Sequence, residues 1–449
     1  MPKKYDVVIV GAGPAGLMAA KTAGEHGLKV ALIERKDVIT DINRACSMMV
    51  VTLTGKYLEE RVLLNPEQKR FSFPRYGFSV NYDGPHQDFY AWSILSHTGK
   101  KIQLGDYTEN EAKGEQGRIS AVYHKEIFLK GLLREAQKCG VDVFNPYNVI
   151  GTRQDKGRVT VLTREGASFS GTFVIAADGR SSRIATTLGL NENRKFFGTP
   201  TTLGYEMVGV EPPEKYALMQ FFLNEKTPMR IWMTPRSVPD EHLVMLGCMH
   251  PEADLAGAFE RFISQGPFAS WFKRAEKKRC LAIVGSMYAH IEDPYKDQVI
   301  LISDAVWCME AEMTGAIISG WKAANSITCA LVEGDISRTG VRDYLEWWHN
   351  EVIKKYDYRD IIKNVVMPYC LTPDDMDFLF SKITRTLNGF LDPYETPKMV
   401  GEAMAEIMPA VSQERPDILQ KLQTMQATPL EVVFRDCIRA GFPTTMLCR

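Results

Sequence analysis

No excess of either charge marks this sequence: 54 basic residues stand against 55 acidic ones, for a net charge of −1. A nucleic-acid binder would show a basic surplus, so that class is excluded. No two of the nine cysteines form a CxxC pair, which removes support for a zinc or iron–sulfur site. An odd number of cysteines in a chain of 449 residues also argues against a disulfide framework and for a reducing, cytoplasmic setting. No apolar run approaches the roughly 20 residues of a membrane span. The start, MPKKYDVVIV, reads as a strand rather than a signal peptide. Histidines number only eight, and no Ser-His-Asp or metal-ligand constellation is evident. Repeats and low-complexity stretches are absent too. What remains is 45% hydrophobic content, enough for two or three packed units.

The first positive signal is YDVVIVGAGPAGLMAAKTAGEHGLKVALIERK, residues 5–36. Its β-branched run Val7 to Val10 reads as a buried parallel strand. Gly11, Gly13 and Gly16 follow at GxGxxG spacing. The first permits a tight turn, the second a close approach of a pyrophosphate, the third close packing of helix on strand. Pro14 and Ala15 open the helix, whose free N–H groups face the anion. Ala31 to Ile33 form a second strand ending on Glu34, with Arg35 next. A carboxylate there accepts from adenosine ribose hydroxyls and repels a 2′-phosphate, so FAD or NAD fits better than NADP.

Two further elements decide between those cofactors. VIAADGRSSRIATTLGL places Asp178-Gly179 in a turn after a buried strand, and DQVILISDA places Asp304 after another. These resemble the "DG" and "GD" motifs of the flavoprotein hydroxylase and reductase superfamily. The resemblance implies FAD, with Asp178 near its pyrophosphate and Asp304 holding a ribityl hydroxyl. Ser303 stands where that superfamily has Gly. Its monooxygenases carry a His and a Pro in the next loop, where this chain has Val306-Trp307-Cys308-Met309. From Thr314 the chain reads TGAIISGWKAANSITCALVEGD. That stretch resembles geranylgeranyl reductases and quinone oxidoreductases of the electron-transfer-flavoprotein type. Gly315, Ser319, Gly320, Ala323 and Ala324 keep one helix face small, to lie against another backbone or the cofactor, and Gly315 and Ala316 are candidate cofactor contacts. The helix N-terminus then favours negative charge on reduced flavin. Glu310 and Glu312 precede it. Their bland reading is capping; the functional one puts Glu312 beside the isoalloxazine, setting its potential or donating a proton.

Other marks lie outside these motifs. The loop IERKDVITDINRACS holds Arg44, Ala45 and Cys46, where the reductases have an adjacent Arg-Cys pair near the flavin. Arg44 reads as a phosphate or ribityl contact or a surface cation, and Cys46 as an active-site thiol or a structural one. Lys125 stands where the superfamily opens a helix with an FAD-contacting Arg. Four β-rich runs, TTLGYEMVGV, YALMQFFL, MRIWMTPRS and EHLVMLGCMH, suggest an antiparallel sheet roofing the flavin. IWMTP resembles the W-x-F-P strand that lines the reductases' lipid tunnel, with Thr234 in place of Phe and Arg230 in place of Tyr. Arg230, Trp232 and Thr234 share a strand face, with Ile231 and Met233 opposite. Arg230 is suited to a carboxylate or phosphate on the ligand, and Trp232 reads as pocket wall or sheet core. Phe71, Phe73, Tyr76 and Phe78, earlier in the chain, carry the same ambiguity.

The expected fold is therefore α/β: a Rossmann-type, glutathione-reductase-like FAD-binding domain, an inserted antiparallel substrate sheet and a C-terminal helical region. The expected boundaries are 1–60, 116–183 and 280–340 for the cofactor, 61–115 and 184–279 for the substrate, and 341–449 for the helices. Trp347-Trp348 and the Met-rich helices read as packing onto the flavin domain, or as a hydrophobic partner face. The favoured function is an FAD-dependent oxidoreductase, Cys46, Arg230, Trp232 and Glu312 being its candidate catalytic residues. It would reduce or oxidise a C–C bond of an apolar small molecule with an acidic end, or pass electrons to quinone. The alternatives are a monooxygenase hydroxylating an aromatic, and an electron-transfer partner without turnover. The implied redox partner is a ferredoxin, a flavoprotein, quinone or NAD(P)H, with room for a peripheral membrane contact.

Overall fold

The computed structural model describes residues 3–50, 57–250 and 252–440. Of the nine cysteines, Cys437 and Cys448 lie outside the described side chains, and the other seven are free thiols. Five parallel strands form the heart of the fold, in the order Asp142–Phe144, Val30–Ile33, Lys4–Val10, Ser168–Ala176 and Val299–Leu301. Val7 to Val10 are all buried, because helices cover one face of this sheet and other elements the second. The nine-residue strand Ser168–Ala176 serves two neighbours along one edge. Its first half pairs antiparallel with Arg158–Thr163, and its last three residues pair parallel with Val299–Leu301.

Helix Pro14–Glu25 packs between helices Lys125–Lys138 and Glu312–Glu333. Its approach to the last is close enough that a Cβ on Gly320 would sit 2.2 Å from the Ala15 carbonyl oxygen. The small face of the long helix thus serves backbone packing, and Ala15 is buried in that contact.

The four β-rich runs are neighbours in a seven-stranded sheet. Its order is Glu276–Val284, Thr201–Val208, Glu241–Cys248, Arg230–Pro235, Ala217–Phe222, Ala91–Leu95, Lys101–Leu104. All pairings are antiparallel except that of Ala217–Phe222 with Ala91–Leu95, so the sheet is mixed at that point. One face is sealed: Phe221, Ile231, Met233 and Val244 pack on Phe259 and Phe262 of helix Leu255–Ser264. The other face carries two cross-strand rows. One runs Ile283, Thr202, Gly247, Arg230, Phe222; the second joins Met245, Trp232, Gln220, Ile94 and Ile102.

The earlier aromatics are core. Strands Leu63–Asn65, Arg70–Phe73 and Phe78–Asn81 make a separate small sheet. Phe71 meets Phe128 edge-on at 5.6 Å and Phe78 stacks on Trp321 at 5.2 Å, the partners lying on helices Lys125–Lys138 and Glu312–Glu333. The tryptophan pair is core too: Trp348 is fully buried and packs edge-on against Trp307 at 4.6 Å, so it offers no partner face. No helix among the described residues is long and apolar enough to cross a membrane.

Candidate functional site

The chemistry-bearing residues gather where the parallel strands end. Gly11 follows Lys4–Val10, Glu34 follows Val30–Ile33, Asp178 lies just past Ser168–Ala176, and Asp304 just past Val299–Leu301. Parallel pairing puts these four at one edge of the sheet, the place where open α/β sheets bind ligands. The three glycines do different work. Gly11 has φ +99° and a Cβ there would lie 2.3 Å from the Ala177 oxygen; one on Gly16 would lie 1.8 Å from the Gly11 oxygen. Both are required by the fold itself. A Cβ on Gly13 would meet nothing within 4 Å, so the space before the helix N-terminus is open.

Glu34 is held in place by backbone N–H groups. Its carboxylate accepts from the Ala12 N–H at 2.7 Å and the Lys36 N–H at 3.0 Å. Asp178 Oδ2 accepts from the Ile184 N–H at 3.1 Å, while its Oδ1 is buried with no protein partner. Burial holds this carboxyl above its ordinary pKa. Asp304 Oδ1 accepts from the Ala311 N–H at 2.9 Å, and Oδ2 lies 4.0 Å from an Arg44 guanidinium nitrogen. Gly179 takes the left-handed conformation its turn needs, with φ +82°. Arg35 is exposed and lies off the cavity wall.

The loop after Asp304 is strained. Ser303, Met309 and Glu312 have φ of +57°, +61° and +56°. Such a backbone costs a non-glycine residue about 1 kcal/mol or more, and strain of this kind concentrates at functional sites. It also explains why a glycine suits position 303. Trp307 and Cys308 are buried in the core, so the site-facing residues of this loop are Met309, Glu310 and Glu312.

Glu310 pairs with Arg180 at 2.9 Å. Burial alone would raise its pKa, but Arg180, Arg44 and Lys125 outweigh that and keep it ionised. Glu312, the first residue of the long helix, is driven the other way. Burial, then Glu310, Cys46 and Asp304, push its carboxyl well above the ordinary range, against Lys125. Two neighbouring acids whose surroundings push their pKa values apart form a recognisable acid–base arrangement. Lys125 Nζ donates to Cys46 Sγ at 3.4 Å. Burial raises the thiol, yet Lys125 and Arg44 hold it below its usual value.

These groups face a cavity of about 460 Å³. Pro14, Arg44, Ala45, Cys46, Lys125 and Ala316 line one end. Gly315 does not face it: the Tyr57 hydroxyl, which donates to the Ala311 carbonyl at 3.0 Å, occupies the space a Cβ there would need, 2.8 Å away. The cavity then follows the open face of the seven-stranded sheet, from Ile283 on one edge strand to Ile102 on the other. Seven strands span about 29 Å. Arg230 and Trp232 both line it, Thr234 is buried beyond its lining, and Ile231 and Met233 face the opposite side. The Arg230 guanidinium lies 5.7 Å from the Phe222 ring and 5.5 Å from that of Trp232, and burial lowers its pKa to about 10. Arg236, on the same strand end as the Cys46 loop, donates to the Cys46 carbonyl at 2.9 Å. Arg230 lies six residues away, about 20 Å along the strand.

Sequence reasoning missed two contributors. The Arg180–Glu310 pair joins loops 130 residues apart. The C-terminal helices wall the distal half through Val365, Tyr369, Phe380, Val400 and Met404. The methionine content and Pro368 inside helix Tyr358–Cys370 were the available signals.

The open space at Gly13, the unpartnered Asp178 oxygen and the anchored Glu34 fit a dinucleotide with a pyrophosphate and ribose hydroxyls. The sequence pattern of the FAD binding domain family matches residues 4–250, so the chain belongs to that family and FAD is its cofactor. It is an FAD-dependent oxidoreductase of the reductase type. The chain is 27% identical over 405 residues to the digeranylgeranylglycerophospholipid reductase of Methanocaldococcus jannaschii, covering 86% of this chain and 92% of that one. The geranylgeranyl bacteriochlorophyll reductase-like protein of Thermoplasma acidophilum shares the fold, with TM-score 0.70, 21% identity and coverage of 95% and 100%. A halogenase mutant in complex with FAD does so more loosely, with TM-score 0.57, 14% identity and coverage of 98% and 96%. Denaturation in acid is expected to release free FAD, one per chain, into the supernatant; flavin that stays with the precipitated polypeptide would contradict non-covalent binding.

Proposed function

We propose that this protein saturates carbon–carbon double bonds of a prenyl-type lipid. The observation that carries the reading is the long cavity, apolar over most of its wall, with Glu310 and Glu312 at its cofactor end, the first held below and the second pushed well above the ordinary carboxyl range. The name of the Methanocaldococcus relative supports a lipid of this class. We assign the cofactor to segments 1–60, 116–183 and 280–340, with Gly11, Gly13, Gly16, Glu34, Asp178 and Asp304 as its cradle and Arg44 and Lys125 as its cationic contacts. FAD, when bound, supplies a hydride at N5. Glu312 holds the matching proton on its carboxyl and delivers it to the substrate carbon. Cys46, kept anionic-leaning by Lys125, shapes the field at the same end. Trp232 walls the chain of the substrate, and the trough excludes water from it. The electrons enter from a ferredoxin, a flavoprotein, quinone or NAD(P)H, and the lipid is collected at a membrane surface facing the cytoplasm.

The test is anaerobic. Photoreduced enzyme mixed with a prenyl lipid should give a product enriched in hydrogen by mass spectrometry. A product that forms only with oxygen would replace this reading with a monooxygenase.

Arg230 is assigned to a carbonyl, carboxylate or phosphate of the ligand. A charged hydrogen bond contributes about 1.5–3 kcal/mol. Arg230→Ala should therefore raise the apparent dissociation constant of the lipid roughly tenfold to a hundredfold while flavin content stays normal. Unchanged affinity would remove Arg230 from the recognition set.

A further inference from the structure

The distal end of the cavity has a specific boundary. There the wall includes Ile94, Ile102, Phe222 and Phe380, all in one apolar cluster against which Val400 and Met404 also pack. Phe380 meets Phe222 edge-on, with centroids 5.6 Å apart at 80°. The same Phe380 also lines a separate surface cleft, shared with Lys101, Gln103, Tyr107 and Arg385. One aromatic side chain, 2% exposed, is therefore common to the inner cavity and the outer cleft.

The element that carries it is firmly held. Helix Pro373–Lys382 begins with a capping box between Thr372 and Asp375. Asp375 is also bound by Arg415 and Lys421, each at 2.7 Å, which ties the helix to Pro416–Ala427. Beyond its end, the Leu387 N–H donates to the Gln103 carbonyl at 2.8 Å and fixes the following loop to the edge strand. An aromatic ring on so constrained a helix acts as a fixed boundary.

We infer that Phe380 is the stop that sets the length of apolar chain the cavity accepts. This rests on the apolar-chain reading above and adds the residue that limits it. Truncating the ring would join cavity and cleft into one through-passage; enlarging it would shorten the cavity.

The experiment uses FAD-loaded enzyme and a series of neutral isoprenoid alcohols of increasing length, with binding read from the perturbation of the flavin absorption. In the native protein affinity should rise with length and then stop rising. Phe380→Ala should move that limit to longer alcohols, binding the longest roughly tenfold or more tightly than the native protein does. Phe380→Trp should move it to shorter ones. Flavin content and the melting transition of each variant check that it folds. A limit unmoved by both substitutions overturns the inference, and so does a native protein that binds none of the alcohols. A shifted limit without any double-bond reduction would sustain it while removing the reductase reading.

Discussion

Gly13→Val should fold and carry no FAD. The expectation follows from the unequal roles of the three glycines. At Gly11 the backbone has φ +99° and at Gly16 a Cβ would collide with the Gly11 oxygen, so substitutions there damage the turn whether or not cofactor is present. Gly13 has φ −75° and open space around its missing side chain. A valine is accommodated by the protein alone and clashes only with a pyrophosphate drawn against the helix N-terminus. Purified Gly13→Val should retain its circular dichroism and hold less than roughly a tenth of the native flavin. Its melting temperature should fall to that of native apoprotein, because a ligand at about a thousandfold its dissociation constant adds about 4 kcal/mol that the variant forfeits. A variant that stays yellow would mean the pyrophosphate lies elsewhere. One that fails to fold would mean the open space is needed by the chain itself.

The same contrast explains what was legible in the sequence. Gly11, Gly13, Gly16 and Glu34 answer to local rules: a strand, a turn with positive φ, a helix N-terminus and an acid at the next strand end. Asp178 and Asp304, each just past a strand, stand out through resemblance to the DG and GD motifs, and parallel pairing then gathers all of them. The faces of Arg230–Pro235 were readable because strand periodicity is two. The surroundings of Gly315 are not legible locally, because the atom nearest its missing Cβ is the hydroxyl of Tyr57, whose bond to the Ala311 carbonyl spans 254 residues of chain. Arg180 with Glu310, Lys125 with Cys46, and Phe380 at the cavity's end are likewise products of tertiary packing. Periodicity and local propensity carry no record of which distant helix closes a cavity. The aromatic residues behave alike: Phe71 and Phe78 read equally as pocket wall or core and Trp348 as core or partner face, and only their partners Phe128, Trp321 and Trp307 identify them as core.

Glu312→Gln should make the protein more stable and nearly inactive. Glu312 has the strained φ of +56°, lies partly buried on the cavity wall and makes no ion pair among the described residues. Burial and the neighbouring Glu310, Cys46 and Asp304 raise its pKa, and Lys125 only partly offsets them. The folded state therefore keeps a proton that the unfolded chain releases near its ordinary pKa of about 4.3. Below that value the carboxyl is neutral in both states and folding is unaffected by it. Above it, until the folded pKa is reached, stability falls by about 1.4 kcal/mol per pH unit on account of this group. Glutamine keeps the shape without the titration, so the variant's advantage should be absent in acid and grow as pH rises through this window. Turnover should move in the opposite sense. Native activity should fall as pH rises through the raised pKa and the donor is lost, whereas loss of a positioned general acid removes about a hundredfold to ten-thousandfold of rate at neutral pH. Chemical denaturation at several pH values and single-turnover oxidation of photoreduced enzyme by the lipid read the two effects separately. A variant that gains stability and keeps native turnover would leave Glu312 as a strained helix-terminal residue with no part in proton delivery. One that loses turnover with an unchanged pH dependence of stability would show that its carboxyl is already ionised in the folded protein.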